Sequence, residues 1–327
     1  MRAHAACHTL AVAMAASLVF ATSANATLPG RNGSLAFSAF RVNEESSDIL
    51  IDAEYVGIAP LGGRARHLVT EGGSPAFSPD GRTLAYERSD YHHAGIWLTR
   101  PVCRWRGRTA PRAGCRTPRR LTRGSHDDPR WSPRGTRIAF SDFNTGRIST
   151  MATDGTNRRF VAKGYDPDWS SKGEIAFVHE IDGQGGIRVT RPGRHRSRVL
   201  TSVGFDPSWS PSGDRLAFVT DPYGGSDPGL HVINADGTGL REIWSGRTPE
   251  ESSGESEEAL SPAWSPDGRV IAFVRGLEIP YTGAVLGIRP DGHGLRVLAR
   301  PPRRCRDCFG GLQFDDLAWQ RLARSSR

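Results

Sequence analysis

Residues 206–218 read DPSWSPSGDRLAF: an Asp-Pro pair, a Trp, a Ser-Pro-x-Gly tetrad and then an apolar run. Close copies recur as SPAFSPDG from Ser74, DPRWSPRG from Asp128, DPDWSSKG from Asp166 and SPAWSPDG from Ser261. A worn sixth copy, DDLAWQ, begins at Asp315. The aromatic landmarks Phe77, Trp131, Trp169, Trp209, Trp264 and Trp319 stand 54, 38, 40, 55 and 55 residues apart. A period of about 40 with insertions indicates propeller blades rather than a helical solenoid.

Shortly after each of the first five landmarks comes an aliphatic-Ala-aromatic triplet: Leu84-Ala85-Tyr86, Ile138-Ala139-Phe140, Ile175-Ala176-Phe177, Leu216-Ala217-Phe218 and Ile271-Ala272-Phe273. An orphan copy, Leu35-Ala36-Phe37, lies near the amino end. In a strand the two bulky members share one side while Ala takes the other, so each blade has a bulky side that can rest on its neighbour's shallow one. Further apolar strands and Asp-Gly turns at 154, 236 and 291 complete four antiparallel strands per unit. The Ser-Pro-x-Gly tetrads read as tight turns between strands one and two. The first unit lacks its landmark strand and Trp319 has no strands after it, so the two fragments complete each other. The expected fold is all-β, a six-bladed propeller whose first blade is completed by the C-terminal strand, which hides the edges an open array would expose.

Residues 1–26 stand apart. Arg2 is their one charged residue, followed by a short apolar run from Leu10 to Phe20 and the sequence Ala24-Asn25-Ala26. This is the pattern of a signal peptide cleaved before Thr27, leaving residues 27–327 as one exported domain in the periplasm, cell envelope or medium. No segment is long and apolar enough to read as a membrane span. Loss of Arg2 takes the 43 Lys and Arg to 42 against 35 Asp and Glu, and the only lysines are Lys163 and Lys172. Cys103, Cys115, Cys305 and Cys308 remain, enough for two disulfides in an oxidising compartment. The first pair lies in a third-to-fourth-strand loop and the second in a blade linker on the other face, so local pairs, Cys103 with Cys115 and Cys305 with Cys308, suit the reach of a disulfide. A lone C-x-x-C without a βαβ setting lacks the context of a redox site and the ligands for zinc.

The P-x-W-S-P-D-G phrase followed by I-A-F resembles the WD40-like repeat of the TolB family of exported β-propellers, over residues 33 to 320. The resemblance covers the propeller and not the α/β domain that precedes it in that family. It implies a protein that receives a partner at the mouth of its central channel.

Three residues before each landmark stand Ser74, Asp128, Asp166, Asp206, Ser261 and Asp316. As equivalent positions of inner strands they are expected to ring the channel mouth on the linker-bearing face. There they could hold a hard cation such as Ca²⁺ or receive a basic peptide end; the plainer alternative is that they satisfy local backbone donors. The turn-bearing face gathers arginines, including Arg104, Arg106, Arg134, Arg158, Arg159, Arg194 and Arg196, and could meet an anionic polymer. Thin aromatic interleaving argues against nucleic acid. The histidines show no common register, although His126 precedes Asp127 and Asp128. No G-x-S-x-G elbow is present. The sequence therefore favours a monomeric, non-enzymatic binding module needing no cofactor, for a protein or peptide partner of the cell envelope. The competing reading is a propeller-based lyase, lactonase or sugar dehydrogenase with a metal at the channel.

Overall fold

The structure is a computed structural model that describes residues 30–43, 50–61, 63–64, 67–90, 92–100, 117–181, 184–194, 196–220, 229–245, 258–276, 284–300 and 312–322. The expected signal peptide and all four mature cysteines lie outside these residues. Six antiparallel sheets follow one another around a ring. Blade 1 joins the two ends of the chain: its inner strand, Leu312–Leu322, pairs with Arg31–Asn43, and Leu50–Ala59 and His67–Glu71 follow outward. Leu35 faces Trp319 and Phe37 faces Leu317, so the orphan triplet and the worn phrase meet in register. The inner strands of blades 2 to 6 are Gly73–Phe77, His126–Trp131, Tyr165–Trp169, Phe205–Trp209 and Glu258–Trp264.

One blade departs from the four-strand plan. Gly63–Arg64, from blade 1, pairs in parallel with the outer strand of blade 6, Arg296–Arg300. The ring is thus stitched at its outer edge as well as at its inner one.

The triplets make the contacts that their alternation predicts. Trp209, Leu216 and Phe218 of blade 5 lie against Ala176, Ile187 and Val189 of blade 4. Trp131, Ile138 and Phe140 of blade 3 meet Ala76, Ala85 and Ile96 of blade 2. At the closure Leu35, Phe37 and Trp319 cover Ala263, Ala272 and Val274 of blade 6. Each such buried Leu or Phe contributes roughly 1.5–3 kcal/mol, and Ala is needed opposite because a larger residue would hold the blades apart. The Trp131 indole also donates to the Ala76 carbonyl at 3.0 Å, and Trp319 to that of Ala263 at 2.9 Å.

The tetrads are turns. Gly81, Gly135, Gly173, Gly213 and Gly268 all have φ between +63° and +77°. Each glycine N–H donates back to the serine carbonyl that opens its turn, as Gly213 does to Ser210 at 2.8 Å. At the rim, outer strands begin with an arginine that clasps the next blade: Arg119 donates to the Thr153 carbonyl and Arg198 to that of Ala235, both at 2.6 Å, and Arg241 to that of Pro290.

Candidate functional site: an acidic channel mouth

All six residues of the expected ring have left-handed backbones, with φ of 45° at Ser74, 47° at Asp128, 47° at Asp166, 48° at Asp206, 50° at Ser261 and 27° at Asp316. At each of these positions the pairing of the inner strand with its neighbour slips. This explains the Asp/Ser-Pro pair: short polar residues tolerate positive φ better than others, and the proline that follows in five of the six copies has no N–H to leave unpaired in a bulge. Such backbones cost on the order of 1–3 kcal/mol each and concentrate at functional sites.

The bulges turn the six side chains toward one another. Ser74 Oγ lies 3.0 Å from Asp316 Oδ2 and 3.3 Å from Asp128 Oδ1, and Ser38 Oγ donates to Asp316 at 3.0 Å. Asp206 accepts the Ser261 N–H at 3.1 Å and Asp316 the Ser74 N–H at 3.2 Å. The donors satisfied are thus those of the next blade rather than local ones. Asp128, Asp166, Asp206, Ser261 and Asp316 line one cavity of about 130 Å³ that runs along the axis between the inner strands.

Five more charged groups join the ring. Arg130 and Asp168 line the cavity itself. Asp168 accepts the Trp209 N–H at 2.7 Å and Glu87 accepts that of Asp128 at 3.3 Å. The Glu54 carboxylate lies over Gly73, where a Cβ would collide with it. Asp127 precedes the ring residue of blade 3 and leaves one buried oxygen without a hydrogen-bond partner.

Crowding raises these carboxyl pKa values. Burial, then Asp316 and Asp128, push Glu54 to about 7, and burial, then Asp128, take Asp127 to about 7. Burial raises Asp168 and Asp206 to about 6. Burial first, then Asp128 and Asp206, raise the Asp166 pKa well above the ordinary carboxyl value. Glu87 is raised by burial and then by Asp128. Burial opposes the Arg130 charge, but Asp128, Asp316, Asp168 and Asp166 outweigh it and raise the Arg130 pKa.

The acid is not evenly spread. The residue after each triplet is Ser38, Glu87 and Ser141 in blades 1 to 3, and Val178, Val219 and Val274 in blades 4 to 6. Glu54 and Asp127 add to the first half. The sequence carried that alternation of polar and apolar residues openly; what it did not carry was Glu54, which reaches the mouth only because blade 2 has Gly73 where other blades have a side chain.

The His126–Asp127–Asp128 run does not form a cluster. The His126 ring stands edge-on to Phe140 with centroids 5.1 Å apart, and burial lowers its pKa. His93 bonds Asp90 at 2.7 Å on a surface loop. Among the described residues no three His, Cys, Asp or Glu side chains are arranged to hold a metal ion, and no helix is long and apolar enough to cross a membrane.

No family model matches the chain. A TolB homolog from Chlorobium luteolum is 34% identical over 119 residues, which are 34% of this chain and 27% of that protein, so the match spans about a quarter of the relative. The TolB structure from Acinetobacter baumannii superposes with a TM-score of 0.62 at 18% identity, over 88% of this chain and 66% of its own. A putative TolB from Agrobacterium tumefaciens gives 0.53 at 17%, over 87% and 99%. Six blades of the WD40-like phrase, a ring closed by the last strand and these likenesses together show a TolB-like β-propeller fold.

Proposed function

We propose that this propeller is an exported, non-enzymatic binding module of the cell envelope. It captures a positively charged segment of a protein or peptide partner at the channel mouth, seated against blades 1 to 3. The observation that carries the reading is the convergence of Glu54, Glu87, Asp127, Asp128 and Asp316 around Arg130. A Lys, Arg or amino-terminal ammonium entering there would relieve the mutual repulsion of these crowded carboxyls. Raised carboxyl pKa values at a lined cavity are themselves a mark of function. The left-handed ring backbones support the same site.

The test is fluorescence anisotropy with a labelled synthetic peptide carrying three amino-terminal lysines, against the purified protein at pH 8. Asp128→Asn combined with Asp316→Asn is expected to weaken binding at least about tenfold, the loss of one or two charge-assisted contacts. Equal binding by the variant would move the site away from the mouth. Calcium added to the same assay measures the competing occupant, since Ca²⁺ needs the same oxygens. A transition metal retained through purification together with a turnover assay would support the enzyme reading instead.

A further inference from the structure

On the opposite, turn-bearing face a groove runs along blades 5 and 6 to the start of the first strand of blade 1. One part, of about 660 Å³, is lined by Arg31, Arg215, Asp267 and Arg269, and the adjoining part, of about 520 Å³, by Arg215, Arg269, Arg289 and Arg296. Arg215 and Arg269 belong to both parts, so five arginines line one continuous depression.

The two carboxylates of the groove are engaged within their own turns. Asp267 accepts from Ser265 Oγ at 2.7 Å and from the Arg269 N–H at 3.1 Å. Asp291 pairs with Arg289 and accepts the His293 N–H at 3.1 Å. No ion pair neutralises Arg31, Arg215, Arg269 or Arg296 among the described residues. Two of these arginines depart from what their counterparts do elsewhere in the ring. Arg137, at the position of Arg215 in blade 3, is bound to Thr150 at 2.9 Å, whereas Arg215 lies over the Trp264 ring with its guanidinium 5.0 Å from the centroid. Arg119, Arg198 and Arg241 clasp the next blade, whereas Arg296, first residue of the same strand in blade 6, makes no such bond among the described residues and lines the groove instead.

We infer that this groove binds a linear anionic glycan, through the carboxylates of uronate residues or the phosphates of a phosphodiester backbone. Guanidinium forks suit both groups, and a row of them suits charges repeated along a chain. Single-stranded nucleic acid needs exposed aromatic faces on which bases stack. The one aromatic side chain of the groove, Trp264, is 1% exposed and covered by Arg215. The site is separate from the acidic mouth, and neither depends on the other being correct.

The experiment is affinity electrophoresis and biolayer interferometry of the full mature chain against alginate, poly(glycerol phosphate) and a single-stranded DNA 30-mer at 50 mM and 200 mM NaCl. Wild type should bind at least one of the two glycan-type polymers more tightly than the DNA, and the two arms tell carboxylate from phosphate. Arg269→Ala with Arg296→Ala should weaken that binding roughly tenfold and flatten its salt dependence. The double Arg→Lys variant, which keeps the charge and the fold, should retain most of it. Asp128→Asn with Asp316→Asn should leave it unchanged. Wild-type affinity in the double Ala variant, failure to bind either polymer, or tighter binding of the DNA would each overturn the assignment.

Discussion

Blades 1 to 3 and blades 4 to 6 repeat the same phrase and rest on each other in the same way, yet they face the channel differently. Where blades 4 to 6 place Val178, Val219 and Val274, all fully buried, blades 1 to 3 place Ser38, Glu87 and Ser141. Glu54 and Asp127 enlarge the difference. Val219 and Val274 pack beside the triplet alanine against the next blade, whereas Ser38 and Glu87 turn the same position to polar partners, Asp316 and the Asp128 N–H. At this position blades 4 to 6 add to the core, while Glu87 of blade 2 holds a carboxyl against the cost of burying it, as Asp166, Asp168 and Asp206 do on the inner strands of blades 4 and 5. Surface aspartates show how much that placement matters. Asp154 and Asp236, in exposed turns, have pKa values lowered by hydrogen bonds from Thr156 and Thr238, whereas Asp168 and Asp206 are raised to about 6.

The sharpest way to break this contrast is Arg130→Ala. It removes the cation that Asp128, Asp316, Asp168 and Asp166 surround, and unfolding in urea at pH 7 should show a loss of about 3–5 kcal/mol, the cost of leaving buried charge uncompensated. A loss below about 1 kcal/mol would mean that the mouth is solvated enough to manage without it. Next, Val219→Ser carries the polar half's choice into blade 5. With no partner waiting there it should cost about 1–3 kcal/mol, measured the same way.

The converse change, Glu87→Val, should stabilise the protein at pH 8 by about 1–2 kcal/mol, because it deletes a buried acid that Asp128 repels. It should also flatten the dependence of stability on pH. Glu54 and Asp127 titrate near 7, and Asp168 and Asp206 near 6, all above an ordinary carboxyl. The folded state then binds more protons than the unfolded one between about pH 4 and 7, so stability falls as pH rises through that window and levels off above it. Thermal melts from pH 4 to 8 read the slope directly, and a Tm rising over that range would contradict the pKa shifts. Lysine-peptide binding should run the other way, strengthening as pH rises to 8. Last and smallest, Gly73→Ala puts a methyl where the Glu54 carboxylate lies; the side chain can swing aside, so stability should change by less than about 1 kcal/mol while peptide binding drops measurably.

The repeat made much of this visible beforehand. Asp-Pro pairs at a fixed distance from Trp located the ring, because equivalent positions of a propeller must lie at one height. The same phrase did not reveal why Asp and Ser were needed: the left-handed φ at Asp166 or Ser261 depends on a bulge that forms only against the neighbouring strand. Arg130 and Asp168 were unreadable as site residues, since they occupy the position before Trp that holds Ala or Ser in other blades. Glu54, inside the third strand of blade 1, was further still, being 262 positions from its neighbour Asp316. The arginines of the groove were hidden among many others; their gathering around one depression is visible only in the fold.

The sequence by itself determined the blade count, the closure of the ring by Trp319 and its strand, the turns and the register of the acid ring, because alternation and turn chemistry act over a few residues and repeat. The tertiary structure alone decided which carboxyls meet in the channel, which of their pKa values are raised and which arginines line the groove. Those properties belong to groups as far as 278 residues apart that share one small volume, where burial and neighbouring charge, rather than local pattern, set the energy.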